Sequence, residues 1–430
     1  MVNTKARLQK KMRTYTSSDM PEWFYQAQSL PNRQFVTDSE REVIGLIRKY
    51  HEISKAGLSN TTVFSRSKIT GCIDSLLAKK IIVANYSNEY TGGRHSKTFS
   101  LNGTLGFVVG VDIGATSVDI GIADFSGKLL YRYGEAASVK DGPIKVLGRA
   151  CTLIEKMLNE NHLDANHLRG IGIGVPGPVD FSAGTLISSP IMPGWDRYPI
   201  IQTIQQWFPT AIVVVDNDVN VMALGETYHG AGKGVDNLIF IKIGTGIGAG
   251  ILCEGKIYRG TNGCAGDIGH IGVDKYGPLC HCGNKGCLEA VAAGPAIAER
   301  SLIAAQAGKS PVLLKIYENH GQVLTAEDVG AAAREGDAYA IESIRESGQN
   351  IGDVLAGLVN FYNPGMVVIG GGVANLGNLL LSSIRQAVLH RSLPLATKDL
   401  HIVFSKIGLD AGIMGAINLV MDYMFTTISS

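Results

Sequence analysis

The 430-residue sequence has few charged side chains, few prolines and no long apolar run. Charged residues make up 18% and proline occurs 14 times, whereas hydrophobic residues reach 45%, which excludes extended disorder and indicates a sizeable core. The longest apolar runs, such as residues 106–111, are far shorter than the roughly 20 residues that span a bilayer. At about 100 to 200 residues per domain, this length suits two or three domains.

Cysteine is also sparse, with seven residues, four of which lie between residues 264 and 287. An odd number of clustered cysteines in a long chain favours a metal in a reducing compartment over a disulfide framework. The first residues are basic but lack the apolar stretch of a secretory signal. We therefore expect a cytoplasmic protein with no membrane segment.

Charge is nearly balanced in total but unevenly distributed. The net charge is +1, yet residues 1–100 contain 16 Lys and Arg against 8 Asp and Glu, whereas the rest of the chain contains 23 against 30. A basic head on an acidic body indicates that a nucleic-acid-binding segment is joined to a part with another role. The alternative is a solvated basic tail, because five of the positive charges lie in the first 13 residues.

Three short helices and a two-stranded hairpin are predicted within residues 36–104. In the first helix the apolar residues recur at helical spacing, and Glu40 is placed for a capping box. The predicted helices cover residues 38–50, 54–59 and 65–80 (the third with its start at residue 65 or 67), and the predicted strands cover residues 81–86 and 98–101. This order predicts a winged helix-turn-helix domain after a basic tail at residues 1–35.

The third helix of this head offers donors for phosphates and base edges. Such side chains enter a major groove from the recognition helix, and a basic wing residue reaches beside a minor groove. The alternative is a small helical bundle with a hairpin and no DNA-binding role. The predicted DNA-binding residues are Arg66, Ser67, Lys68 and Thr70 in the helix and Arg94 in the wing.

From residue 106 onward, apolar strands alternate with helical segments, which is typical of an α/β fold. Two glycine-containing turns of related chemistry, at residues 112–116 and 244–248, indicate two lobes built on one plan. We expect a smaller lobe from residues 105–218 together with 410–430, and a larger lobe from residues 219–409.

Four metal-ligand residues lie within 18 positions in the pattern H-x9-C-x-C-x4-C, with glycines that allow tight bends. Three thiolates and one imidazole suit a tetrahedral Zn²⁺, and four protein ligands indicate a structural rather than a hydrolytic site. The alternative is a set of buried, unligated thiols. The predicted ligands are His270, Cys280, Cys282 and Cys287.

Three glycine-rich turns follow apolar strands, an arrangement that lets backbone N–H groups approach phosphate oxygens. Two threonines can add hydroxyl donors, and Asp112 can hold a hydrated Mg²⁺. The alternative is that these are ordinary turns. The predicted nucleotide-binding residues are Asp112, Gly114, Thr116, Gly244, Thr245, Gly246, Gly370 and Gly371.

The run Asp216-Asn217-Asp218 lies where a strand ends and a helix begins, which is where open α/β sheets place ligand-binding side chains. A carboxylate there can take up the proton of a substrate hydroxyl during phosphoryl transfer, while Asn217 binds neighbouring hydroxyls. The alternative is a helix N-cap, a role that Asp218 could also fill.

These motifs together resemble the ROK family of repressors and sugar kinases, within the actin-like ATPases. The likeness rests on the Asp-x-Gly-x-Thr turn at Asp112, Pro176-Gly-Pro-Val-Asp180, Asn217-Asp218-x-Asn220, residues 244–248, and above all Gly269-His270 with Cys-x-Cys-Gly-x-x-Gly-Cys-Leu-Glu289. The resemblance implies a two-lobed fold, Zn²⁺ on the four ligands above, and Asp218 as the catalytic base of the kinases. It implies sugar contacts at Asn217, Asp218, Asp267, His270 and Glu289.

The head resembles the winged helix of the transcription factors in this family, and the kinases lack it. Three positions depart from the kinase pattern: Ala115 replaces a glycine, Asp267 replaces a glutamate, and Ile191 replaces an asparagine. We therefore expect a sugar-responsive transcriptional regulator of the repressor type that binds operator DNA as a homodimer or homotetramer. The alternative is an ATP-dependent sugar kinase, requiring ATP and Mg²⁺, with a fused DNA-binding head.

Overall fold

A computed structural model describes residues 36–86, 97–187 and 192–426. The predicted basic tail, Arg94 with most of the wing loop, and Ile191 lie outside the described residues.

The head consists of three helices and a small antiparallel sheet, as the sequence predicts. Thr37 caps the first helix in a capping box with Glu40, while Ser54 and Ser65 cap the next two. The elements are α1 (Asp38–Tyr50), β1 (Ile53–Ser54), α2 (Lys55–Thr61), α3 (Arg66–Ala78), β2 (Ile82–Tyr86) and β3 (Lys97–Leu101). The strand order is β1-β3-β2, so the third strand lies between the other two.

The first sheet of the body has five strands and begins with an antiparallel hairpin. The strands are β4 (Phe107–Ile113), β5 (Ser117–Asp124), β6 (Leu129–Ala136), β7 (Leu168–Val175) and β10 (Ile212–Asn217), in the order β10-β7-β4-β5-β6. β7 and β10 run parallel to β4. A separate two-stranded ribbon joins β8 (Val179–Asp180) to β9 (Thr185–Leu186).

The second sheet has the same plan. Its strands are β11 (Leu238–Ile243), β12 (Ile247–Cys253), β13 (Lys256–Ile257), β14 (Met366–Gly370) and β15 (His401–Phe404), in the order β13-β12-β11-β14-β15. In both sheets the first three strands form an antiparallel meander, and the last two are added in parallel beside the first strand. The prediction of two halves built on one plan is confirmed.

Two helices, α6 (Asp218–His229) and α14 (Asp410–Thr426), pack on each other between the two sheets. α14 lies on β4, β5 and β7, whereas α6 also contacts β11 and β12. The other helices are α4 (Pro143–Glu160), α5 (Ile200–Trp207), α7 (Leu288–Ala292), α8 (Gly294–Gln306), α9 (Pro311–Asn319), α10 (Ala326–Arg334), α11 (Ala338–Tyr362), α12 (Asn378–Arg391) and α13 (Pro394–Thr397).

The head and the body share one hydrophobic core. Buried residues of the head, among them Ile47, Leu76 and Leu101, belong to the same cluster as Ile417 and Val420 of α14. The head is therefore docked on the body through apolar contacts. In the described part of the chain, no helix combines the length and the apolar character needed to cross a membrane.

Candidate functional site

The central site consists of Asp112, Asp218 and Lys242, which come from three different elements. Asp112 lies near the end of β4, Asp218 opens α6, and Lys242 lies on β11 of the second sheet. The Lys242 ammonium donates a hydrogen bond to Asp218, whose side chain is only 4% exposed. An ion pair therefore joins the two halves of the body at the predicted catalytic carboxylate.

Burial and charge act against each other within the central site. Burial raises the pKa of Asp112 to about 7, with a further contribution from Asp218, although Lys242 opposes the rise. Burial alone would lower the pKa of Lys242, but the two carboxylates raise it above its usual value. One carboxylate oxygen of Asp112 is buried and has no hydrogen-bond partner among the described residues. An uncompensated acceptor of this kind suits a ligand with donors or a cation.

Asn217 is the N-cap of α6, so the capping alternative applies to this residue and not to Asp218. Its side-chain oxygen accepts from the backbone N–H groups of Val219 and Asn220, and its amide donates to the carbonyl of Gly177 over 2.9 Å. Asp218 is already the first helical residue, which leaves its carboxylate outside the cap. Asn217 retains one amide hydrogen for a ligand hydroxyl.

Asp216 anchors the segment that leads to the second group of predicted sugar contacts. It is buried and accepts from Arg259 Nε over 3.0 Å and from Nη2 over 2.7 Å. The guanidinium also lies 3.8 Å from the centroid of the Phe181 ring. Both guanidinium nitrogens donate to the same oxygen, Oδ2, and because Arg259 follows β13, this ion pair fixes the start of the segment that leads to Asp267 against the end of β10.

The second and third glycine-rich turns adjoin each other, and the first lies between β4 and β5. Gly371 has a φ of +85°, and a Cβ there would lie 2.3 Å from the carbonyl of Ile243, so only glycine fits. A Cβ at Gly246 would lie 2.3 Å from a carboxylate oxygen of Glu289. Thr116 and Thr245 are exposed in the turns that join β4 to β5 and β11 to β12.

Glu289 and His270 lie beside the second turn. Glu289 accepts a hydrogen bond of 3.1 Å from the backbone N–H of Ile247, and Gly269 packs against both residues. His270 Nε2 is 3.9 Å from the Asp267 carboxylate. The structure therefore brings Asp267, His270 and Glu289 to one side of the turn, while Asn217 and Asp218 lie at the start of α6.

The four predicted metal ligands converge. Their ligand atoms all lie within 4.8 Å of one another, with Cys280 Sγ 3.5 Å from His270 Nδ1 and Cys282 Sγ 3.6 Å from Cys287 Sγ. Zn–S bonds of about 2.3 Å in a tetrahedron separate two sulfurs by about 3.8 Å, so the donor set fits zinc. The backbone N–H of Asn284 lowers the pKa of Cys282 to about 7, which favours the thiolate that metals bind. The exposed His281 is not part of the cluster.

The predicted DNA-binding face of α3 is exposed at its first turn. Arg66, Ser67 and Lys68 are exposed, and the Lys68 ammonium lies 4.3 Å from the centroid of the Phe64 ring. Thr70 is half-buried, and its hydroxyl donates to the Arg66 carbonyl over 2.7 Å. Thr70 therefore offers a ligand only its acceptor lone pairs, a weaker contribution than the sequence predicts.

Lys242 and Arg259 are site residues that the sequence analysis missed. Lys242 is the single charged residue in an otherwise apolar strand, Leu238–Ile243, and a charge in a buried strand is the signal that could have identified it. Arg259 carries no comparable signal, because it lies in a polar segment where a surface arginine is unremarkable.

Comparison with known proteins gives one family over most of the body. Residues 108–423 match the model of the ROK family. The xylose repressor of Caldicellulosiruptor bescii is 30% identical over 374 residues, which cover 87% of this chain and 93% of that protein. The glucokinase of Halalkalibacterium halodurans is 36% identical over 308 residues, which cover 71% of this chain and 92% of that protein.

Among solved structures, too, a transcriptional regulator covers more of this chain than a glucokinase does. A crystal structure described as a ROK family transcriptional regulator, homologous to the E. coli MLC protein, has a TM-score of 0.76 at 29% identity and covers 90% of this chain and 96% of its own. The ROK glucokinase of Streptomyces griseus in complex with glucose and AMPPNP has a TM-score of 0.65 at 32% identity and covers 73% of this chain and 99% of its own. The chain belongs to the ROK family.

Proposed function

We propose that this protein is a sugar-responsive transcriptional regulator, acting as a repressor of carbohydrate metabolism genes. The observation that carries the proposal is the head at residues 36–104 on a ROK body, because the xylose repressor match extends over 87% of the chain and the glucokinase match over 71%. Sensing falls to the body, with its smaller lobe at residues 105–218 and 410–430 and its larger lobe at residues 219–409.

The sugar would bind between the start of α6 and the second glycine-rich turn. Asp218 and Glu289 supply acceptors for sugar hydroxyls, and Asn217 supplies one amide hydrogen. Asp267 and His270 lie next to Glu289 and complete the predicted set. A site built of buried hydrogen-bonding groups selects ligands whose hydroxyls satisfy those groups.

Lys242 favours sensing over phosphoryl transfer. A general base has to take up the proton of the attacking hydroxyl, whereas the buried Asp218 is held in an ion pair with the ammonium of the partly buried Lys242. The same ammonium lies close enough to Asp112 for that carboxylate also to raise the pKa of Lys242. Sugar hydroxyls can still donate to the remaining lone pairs of Asp218.

A structural Zn²⁺ on His270, Cys280, Cys282 and Cys287 would hold the sugar-binding side of the larger lobe. The Nδ1 atom of His270 faces the thiols and its Nε2 atom faces Asp267. Metal binding would therefore orient an imidazole whose other nitrogen is available to the sugar site.

Operator binding would use the exposed start of α3, with Arg66, Ser67 and Lys68 as the principal contacts and Thr70 as a lesser one. Arg94 remains the expected wing contact. Winged heads read two half-sites when two copies are joined, so we propose a cytoplasmic homodimer or homotetramer. Light scattering on the eluting protein would give the number of copies.

The second candidate function is an ATP-dependent sugar kinase. It is favoured by the 36% identity to a glucokinase and by the retention of Asp218 and all three glycine-rich turns. In that case ATP and Mg²⁺ would bind at Asp112, Gly114, Thr116, Gly244, Thr245, Gly246, Gly370 and Gly371.

The proposal is tested by operator selection followed by sugar challenge. Wild-type protein is used to enrich fragments from random-sequence DNA, and affinity for the enriched fragment is measured with D-xylose, with D-glucose and with neither. We expect specific binding that one sugar weakens severalfold. Absence of specific binding, together with sugar-dependent consumption of ATP, would instead support the kinase.

A further inference from the structure

The central helices α6 and α14 each begin at the central site, and the C-terminal half of each contacts the head. α6 begins with Asp218, and in the first turn of α14 a Cβ at Gly412 would lie 1.9 Å from the Asp112 carboxylate. At 1.5 Å per residue, α6 is roughly 18 Å long and α14 roughly 25 Å. Both helices therefore span the distance from the predicted ligand site toward the head.

At two glycines the helices approach each other in direct backbone contact, with no side chain between them. A Cβ at Gly225 of α6 would lie 2.3 Å from the carbonyl of Ala411, and a Cβ at Gly415 of α14 would lie 1.7 Å from the carbonyl of Val221. Such a contact has no flexible group that could absorb a displacement. A shift of one helix must move the other.

The far parts of both helices hold one residue of the head, Arg48, in what we call the Arg48 cluster (Arg48, Tyr228, Asn418 and Asp422). The Arg48 side chain, in the last turn of α1, is 3% exposed and forms an ion pair with Asp422 of α14. Its Nη2 atom donates to the side-chain oxygen of Asn418 over 3.2 Å. Its guanidinium lies 5.1 Å from the centroid of the Tyr228 ring of α6.

Further bonds tie α6 to α14 and to the head at the same place. The Tyr228 hydroxyl donates to the Asp422 oxygen that pairs with Arg48, over 2.7 Å. Asn418 donates to His229 Nε2 over 2.9 Å, and His51 Nε2 lies 2.9 Å from the Tyr228 carbonyl. Because Arg48 is buried, losing Asp422 would leave its charge uncompensated. The head must therefore follow the two helices when they move.

We propose that α6 and α14 transmit the state of the central site to the DNA-binding head through the Arg48 cluster. The proposal rests on the proposed function, since it names the route by which a sugar would change operator binding. A sugar hydroxyl that competes with Lys242 for Asp218 acts on the first residue of α6, and a ligand beside Asp112 acts on the first turn of α14. Transmission requires that the sugar bind two arrangements of these helices with different affinity.

The test removes single groups of the cluster and leaves both ligand sites unchanged. Tyr228→Phe removes only the hydroxyl that joins α6 to Asp422, and Asp422→Asn removes the charge that pairs with Arg48. Lys49→Ala is the matched control, because Lys49 pairs with the exposed Asp236 across the same interface, is 34% exposed against 3% for Arg48, and contacts neither helix through that pair. For each protein, affinity for the enriched DNA fragment is measured without sugar and with saturating D-xylose or D-glucose.

The quantity of interest is the ratio of DNA affinities without and with sugar, which for allosteric proteins is typically about 5- to 150-fold. We expect Tyr228→Phe to reduce this ratio to about a third of the wild-type value and Asp422→Asn to bring it close to one, while sugar affinity measured by calorimetry without DNA changes less than about twofold. Hydrogen exchange provides an independent measurement. Sugar should change protection in residues 38–50 of the wild type and of Lys49→Ala, but not of Asp422→Asn.

Failure of this inference can be distinguished from failure of the proposed function. If the wild type responds to sugar and both cluster variants respond equally, the route is wrong and the regulator remains. If the wild type binds DNA with the same affinity in the presence of either sugar, and its head shows no change in exchange, the proposed function fails and the route fails with it.

Discussion

Replacing Asp218 with asparagine tests how the central site is stabilised and what it does. The change removes one partner of an ion pair in which Asp218 is buried and Lys242 is 26% exposed. In a fully buried pair such a change costs about 3 to 5 kcal/mol because the other charge is left unpaired. Two features of this site reduce that cost. Asparagine keeps an oxygen that can accept from Lys242, and Asp112 remains as a second carboxylate that attracts the ammonium. We therefore expect a loss of about 1 to 3 kcal/mol in the free energy of unfolding at pH 7.

Urea denaturation of the wild type, Asp218→Asn, Lys242→Gln and the double variant gives this loss and its coupling. The two residues are in contact, so the double variant should lose less than the sum of the single losses, by about 0.5 to 3 kcal/mol. Asp236→Asn is the matched control, since it removes an exposed ion pair with Lys49 that is worth about 0 to 1 kcal/mol. Additive losses for Asp218→Asn and Lys242→Gln would refute the ion pair.

The same variant separates the two candidate functions. In a regulator, Asp218→Asn should weaken the sugar response through a lost hydrogen bond, on the order of 1 to 3 kcal/mol, while neither protein consumes ATP. In a kinase, the variant should lose phosphoryl transfer and keep most of its sugar affinity, because asparagine retains the shape but cannot take the proton. Sugar-dependent ATP consumption by the wild type, lost in Asp218→Asn, would refute our assignment of a regulator.

Three further predictions concern the zinc ligands, the DNA-binding face and pH. Elemental analysis should find one Zn²⁺ per chain in the wild type, and Cys282→Ser should lose this zinc and have a lower melting temperature. Cys264→Ser changes an exposed cysteine outside the cluster, so it should keep the zinc and the melting temperature of the wild type. Wild-type protein without zinc would contradict the assignment. Arg66→Ala should weaken DNA binding and, if Arg66 contacts a phosphate, reduce the steepness of log affinity against log salt concentration by about 0.9. Lys128→Ala changes an exposed lysine of the body, so it should leave both quantities unchanged. If Arg66→Ala binds DNA as tightly as the wild type, the assignment of α3 as the recognition helix is contradicted. Because the pKa of Asp112 is raised from 3.8 to about 7, the native state keeps a proton that the unfolded chain loses, and this group's contribution to stability falls as pH rises from about 4 to 7. Asp112→Asn should therefore gain stability relative to wild type as the pH rises from 5 to 8, by up to about 2.6 kcal/mol in urea titrations, and a constant difference would contradict the raised pKa.

The sequence predicted the structural features that are determined by residues close together along the chain. The metal ligands lie within 18 positions on tight bends, so their convergence follows from the spacing alone. A capping box predicted the start of the first head helix, and the apolar strands before the glycine-rich turns identified the hairpins of both sheets. These features require only short-range physics, namely backbone conformation, capping and the pattern of apolar side chains.

Some elements were missed because their signals were weak. β6 is half-exposed, with Arg132 and Glu135 interrupting its apolar residues, and β15 has only four residues. α9 carries a helix start, Ser310 as N-cap followed by Pro311, that the sequence analysis did not use. The pairing of Lys242 with Asp218 joins residues 24 positions apart in different halves of the body, and no local pattern specifies such a contact.

The docking of the head on the body could not be predicted from sequence patterns, because it depends on contacts between residues far apart in the chain. Arg48, in the last turn of α1, suits a solvated cation near a helix C-terminus, and its partner Asp422 is 374 residues away in the sequence. The structure instead buries Arg48 and continues the apolar core of the head into α14. A head on a flexible linker could respond to the body only through distance, whereas a docked head responds to small movements of the surface on which it packs. The operator affinity of this protein is therefore a property of the head and the central helices together.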